Sequence, residues 1–160
     1  MEGEFLAEGV YDFGTRMKLH VDLDGDGAAE TVTFWFAVNS YNLTVTKHDI
    51  TFALPRAYDV LENSRVVHVA IKDVTDEGLP ETLLAASDGI GCLRLYVWGF
   101  KEVSRKTREL NKENLELLAD LQGQFRAIIL EGGTIVLPYG SHGFASRNHW
   151  NGKQFENIGD

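Results

Sequence analysis

The sequence predicts a mainly β fold built from three repeats of about four antiparallel strands, with one helix between repeats two and three. Three observations carry this. First, two stretches of the chain superpose, with Asp22, Gly27, Glu30 and Thr31 falling on Asp73, Gly78, Glu81 and Thr82. Second, each stretch lies between apolar or alternating runs, Met17 to Val21 and Val32 to Val38 in one case, Val66 to Ile71 and Leu83 to Ala86 in the other. Third, Asn151-Gly152 separates two alternating runs near the end of the chain. That dipeptide is a strong hairpin signal, because both turn residues need positive φ.

In chain order, a strand near Phe5 to Val10 is expected to complete a sheet edge. The first unit, 16–54, holds strand, acidic loop, strand, then a hairpin in which Lys47, His48 and Asp49 turn Leu43–Thr46 back onto Ile50–Phe52. Pro55 to Glu62 reads as a helical turn leading to the second unit, 64–103. That unit repeats the pattern, with Leu93–Trp98 turning at Gly99-Phe100 into Lys101–Val103. The helix is placed over Ser104 to Leu121, because Leu110, Leu117, Leu118 and Leu121 recur at helix-like spacing and Asn111 suits an N-cap. The third unit, 118–158, starts from a worn loop, Asp120 to Gln124, and ends in the Asn151-Gly152 hairpin. Units of this kind resemble propeller blades. Three cannot easily close a ring, so an open arc, a trio of packed sheets or a sandwich all remain open.

The chain has 160 residues, of which 44% are hydrophobic and 24% charged, values suited to one domain over 1–160. Only 3 prolines occur, so no Pro-rich linker divides it. The net charge of −9 argues against nucleic acid or an anionic membrane as partner. No apolar run is long enough for a transmembrane helix, so no membrane insertion is expected. The single cysteine, Cys92, allows no internal disulfide and reads as packing. The N-terminus lacks a leader pattern. The chain is therefore cytoplasmic or an extracytoplasmic domain whose leader was removed, the second being slightly favoured.

Asp22, Asp24 and Asp26 stand at positions 1, 3 and 5 of a short loop, Gly27 turns the chain at 6, and Glu30 stands at 9. Alternate residues of a tight loop can point their oxygens inward, and calcium takes six to eight such hard donors. The backbone carbonyl of Ala28, at position 7, is the remaining protein ligand expected. A solvated acidic turn is the plain alternative. An EF-hand would carry a glutamate at position 12 within a helix. Here Thr33 stands there, in the β-forming run Thr31 to Phe36, so that motif is rejected.

Residues 22–30 followed by a strand resemble the calcium loop of FG-GAP and VCBS-type repeats, found in integrin α-subunit propellers and many bacterial surface proteins. The second unit, Asp73 to Glu81 with Leu83 to Ala86, resembles the same repeat, and His149 to Phe155 resembles the outer hairpin of such a blade. The resemblance spans about 16–158. It implies blade-like units and a structural Ca²⁺ between two strands, and it implies no enzyme. The ligand pattern carries over to Asp22, Asp24, Asp26, Ala28 and Glu30. In the second loop the matching positions are Asp73, Thr75, Glu77, Leu79 and Glu81. Threonine and the longer glutamate depart from the pattern there and leave metal binding open. The third loop, with Gln122 and Gln124, is expected to bind nothing.

Other chemistry is weakly signalled. None of the histidines forms a zinc-hydrolase pattern, and His20 and His68 fall in strands. Gly140 to Gly143, with Ser141 and His142, lacks a nucleophile elbow, and Asp88 to Gly91 lacks the parts of a phosphate loop. Trp35, Trp98 and Trp150 would suit sugar rings if exposed and a core otherwise. The expected function is a calcium-binding, non-catalytic β-repeat domain for protein or glycan binding or structural interaction, with a homodimer possible. The alternative is a hydrolase or hydrolase inhibitor on the same scaffold.

Overall fold

The computed structural model describes residues 4–6, 16–37, 40–55, 66–87, 91–124, 126–140 and 143–159. Thirteen strands account for most of them. They are β1 (Glu4–Leu6), β2 (Arg16–Val21), β3 (Glu30–Ala37), β4 (Ser40–Lys47), β5 (Ile50–Ala53), β6 (Val66–Lys72), β7 (Glu81–Ser87), β8 (Leu93–Phe100), β9 (Leu115–Gly123), β10 (Ala127–Ile129), β11 (Ile135–Tyr139), β12 (Phe144–Trp150) and β13 (Phe155–Asn157). Three antiparallel sheets result, ordered β2-β3-β4-β5, β6-β7-β8-β9 and β1-β10-β11-β12-β13. Each is an up-and-down meander, and the third gains β1 at its edge, where Glu4 to Leu6 pair with Ala127 to Ile129.

The sheets stack. Val32, Phe34, Leu43 and Val45 of the first sheet, with Leu23 of its β2–β3 loop, meet Val69, Leu84, Tyr96 and Trp98 of the second in one core. Leu83, Ala85, Leu93, Leu95 and Val97 of the second meet Ile129, Ile135 and Leu137 of the third in another. The second sheet is thus covered on both faces, and all of β7 is buried. This explains why its sequence reads as a continuous apolar run rather than an alternation. Each fully buried leucine or phenylalanine contributes about 1.5–3 kcal/mol, and this double burial is the main force holding the three sheets together.

The helix predicted over Ser104 to Leu121 does not form, and among the described residues there is no α-helix. Asn111 does act as a cap, its side chain accepting from the N–H groups of Glu113 and Asn114 at 3.0 and 3.1 Å. What it caps is a single 3-10 turn, Lys112–Asn114, after which Leu115 is extended and β9 begins. The helix-like leucine spacing has another cause. Val97 pairs with Ala119 and Trp98 with Leu117, so Leu118 is the extra residue of a β-bulge. The bulge moves the alternation by one. Leu115 and Leu117 therefore enter the first core, while Ala119 and Leu121 enter the second. Two adjacent leucines serving opposite faces look like one helical stripe. The open edge of a doubly buried sheet then outweighs helix propensity.

The same strand corrects two further expectations. Lys101–Val103 is not the last strand of the second sheet: β8 runs through Gly99 and Phe100, a 3-10 turn follows over Glu102–Ser104, and β9 is the outer strand. Asp120 to Gln124 is not a worn copy of the acidic loop. Most of it lies within β9, where Arg94 grips the Asp120 carboxylate through two bonds of 2.9 Å. The corner at the matching place in the third sheet is the tight Leu130–Thr134 turn, closed by Gly133 N–H to Leu130 O at 3.0 Å. Cys92, expected in packing, is exposed. The turn proposed over Pro55 to Glu62 lies almost wholly outside the described residues, as do Asp88 to Ile90, Ser141 and His142.

The side of the first sheet turned away from its core is polar over two rows, with half-buried Trp35 in the row beyond, between Arg16 and Asn42. His20, Thr31, Thr46 and Thr51 lie in one cross-strand row, and Lys18, Thr33 and Thr44 in the next. The hydroxyls of Thr46 and Thr51 are 2.8 Å apart, and His20 Nδ1 lies 3.1 Å from Thr31 Oγ1.

Candidate metal centre

The corner between β2 and β3 is built by its own carboxylates. Asp22 accepts from the N–H groups of Gly25 and Gly27, each at 2.8 Å. Asp24 accepts from Asp26 N–H at 3.2 Å, and Asp26 from Ala28 N–H at 2.8 Å. Glu30, at the start of β3, reaches back to accept from Leu23 N–H at 2.7 Å. Gly27 has φ +88°, the left-handed conformation that position 6 of the loop was expected to need. The result gathers Asp22, Asp24, Asp26 and Glu30 so that ligand oxygens of all four lie within 4.8 Å of one another. Oxygens gathered this closely could hold a metal ion.

Asp24 and Glu30 are buried and Asp26 is exposed. The backbone N–H groups of Gly27 and Gly25 hold the Asp22 carboxyl below its ordinary range. Ala28 N–H and the Lys47 ammonium do the same for Asp26. Burial pushes Glu30 the other way, upward, and repulsion from Asp24 and Asp26 adds to it. A cation also reaches these acids. Lys47, at the end of β4, donates from Nζ to Asp24 Oδ2, and to Asp26 Oδ2 at 3.1 Å. Its own proton is held more tightly as a result, the bond to Asp24 being the main cause.

The second loop has the same backbone frame and a different use of its side chains. Asp73 accepts from Gly78 N–H at 2.9 Å, as Asp22 does from Gly27. Glu81 accepts from Val74 N–H at 2.9 Å, as Glu30 does from Leu23. Glu81 also accepts from Thr75 N–H at 3.1 Å, and the Thr75 hydroxyl lies 3.3 Å from its second oxygen. Glu77, however, turns away. Its Oε1 accepts from the Trp150 indole N–H at 2.8 Å, and its Oε2 lies 3.8 Å from Arg105 Nε. The Arg105 guanidinium sits 4.4 Å over the Trp150 ring and donates to Gly152 O at 3.2 Å. Leu79 packs against the first core. Among the described residues, only the first loop brings three or more acid, histidine or cysteine groups to a common point. In the second, the position-5 carboxylate ties the loop to the third sheet.

Lys47, Arg105 and the Glu77–Trp150 bond were not foreseen. A signal for Lys47 exists in retrospect. Thr46 pairs with Thr31, so the next residue of β4 lies across from Glu30 and its side chain can reach the loop. Arg105 had no such signal, because its partners Glu77, Trp150 and Gly152 lie far from it along the chain. No protein-family model, curated protein or solved structure matches this chain.

Proposed function

We propose that this chain is a calcium-binding, non-catalytic β-repeat domain that binds a protein or glycan, or serves a structural assembly, through a surface stiffened by the ion. The observation that supports it is the convergence of Asp22, Asp24, Asp26 and Glu30, whose ligand oxygens lie within 4.8 Å of one another. A divalent cation there relieves the repulsion among four acids. It also ties the start of β3 to the loop that precedes it, so that ion binding becomes folding free energy. The FG-GAP and VCBS resemblance points the same way.

The test is thermal melting in chelator and in calcium. At a calcium concentration of a hundred times Kd the native state gains about 2.7 kcal/mol. For a chain of this size that is a rise of roughly 5–10 °C in Tm. Asp26→Asn keeps the oxygen that accepts from Ala28 N–H and removes one charge. It is expected to abolish most of the rise while altering the chelated melt little. Magnesium, which insists on a smaller octahedral shell, should give a smaller rise. Superimposable melts of the unaltered protein in chelator and in millimolar calcium would sink the proposal.

A further inference from the structure

We propose that Lys47 is a tethered cation that competes with the divalent ion for the first loop, so that metal enters only as the ammonium leaves. The inference rests on the metal reading above and adds a regulator to it. Lys47 Nζ bonds to Oδ2 of Asp24 and Oδ2 of Asp26, two of the oxygens available for an ion. A divalent ion on those oxygens and an ammonium beside them would repel strongly, so the two occupants exclude one another.

The exchange is mechanically simple. The backbone of Lys47 is fixed by its pairing with Ile50, while its side chain is 25% exposed, so the flexible stem can swing into water without disturbing the sheet. Asp24 cannot follow, since its side chain is only 3% exposed. A buried carboxylate left without a cation is strongly unfavourable, so one cation or the other must serve it. The loop is therefore never bare. It also binds calcium more weakly than its acids alone would, because part of the binding energy is spent on evicting the lysine.

Lys47→Met keeps an unbranched apolar stem and removes the charge. Calorimetric titration with calcium chloride should show Lys47→Met binding on the order of tenfold more tightly than the unaltered protein. In chelator its melt should be lower than that of the unaltered protein, and in saturating calcium the order should reverse. Equal affinities in both proteins would overturn the competition and leave the metal site standing. Silence in both would overturn the metal reading and the competition together. A measurement on the unaltered protein guards against a variant that fails to fold. Amine acetylation read by mass spectrometry should rise several-fold at Lys47 on adding calcium, with exposed Lys18 and Lys153 as constant references. Unchanged Lys47 labelling in protein shown to have bound calcium would equally overturn the exchange.

Discussion

Gly133→Ala is expected to lower stability by about 2–5 kcal/mol. Gly133 is buried in the turn between β10 and β11 at φ +92°. A Cβ there would stand 2.6 Å from Val74 O, 2.7 Å from its carbonyl carbon and 2.9 Å from its Cα. All three are backbone atoms of the second acidic loop, held by the bond from Val74 N–H to Glu81, and cannot step aside as a side chain could. Left-handed φ alone costs an alanine about 1–2 kcal/mol; the rest is overlap. The neighbouring Gly132 supplies the control. It has φ +88° with open space around its Cβ position, so Gly132→Ala meets the dihedral cost and nothing else. Denaturant melts of the two variants separate the contributions. Equal losses at 132 and 133 would show that the third sheet does not press on the second loop as described.

Glu81 should give the protein a falling stability between about pH 4.5 and 7. Burial pushes its carboxyl up to about 7, with repulsion from Asp73 adding to the shift, against the N–H bonds from Val74 and Thr75. In the unfolded chain the group titrates near 4.5. The folded state therefore holds the proton more tightly, and its advantage is complete below the unfolded value. That advantage is lost as pH rises through the folded value and is constant above it. The size is about 3 kcal/mol, from roughly 1.4 kcal/mol per unit. Other acids titrate in the same range, so the difference between unaltered protein and Glu81→Gln is the useful quantity. Glutamine keeps an oxygen for the Val74 and Thr75 N–H groups and cannot ionise. The variant should be relatively more stable at pH 8 than at pH 4. A constant difference across that range would mean that Glu81 is not buried as a proton-holding acid.

The parts legible in the sequence were those set by near neighbours. Alternation from Met17 to Val21 and from Val32 onward marked β2 and β3, and the spacing of Asp22, Asp24, Asp26 and Glu30 marked the corner between them. The hairpin at His48-Asp49 was likewise local, as was the one after Trp150, although its turn spans 151–154 and only Gly152 takes the positive φ expected of both Asn151 and Gly152. What failed depended on partners far along the chain. Leu118 declares itself a bulge only against β8, where Gly99 leaves the space its side chain fills: a Cβ at Gly99 would lie 2.7 Å from Leu118 Cδ1. Asp120 resembles a loop acid until Arg94 is found across the strand. Glu77 stands at a ligand position by spacing, yet Trp150 and Arg105 claim it from other parts of the fold.

The threonine rows on the first sheet decide in which direction this pile of sheets can grow. Another layer laid over Lys18, His20, Thr31 and Thr44 would strip an ammonium, an imidazole and hydroxyls of water unless it supplied hydrogen-bond partners in return. A further β layer on those rows would carry the same desolvation cost that the polar outer faces of terminal units impose in repeat arrays.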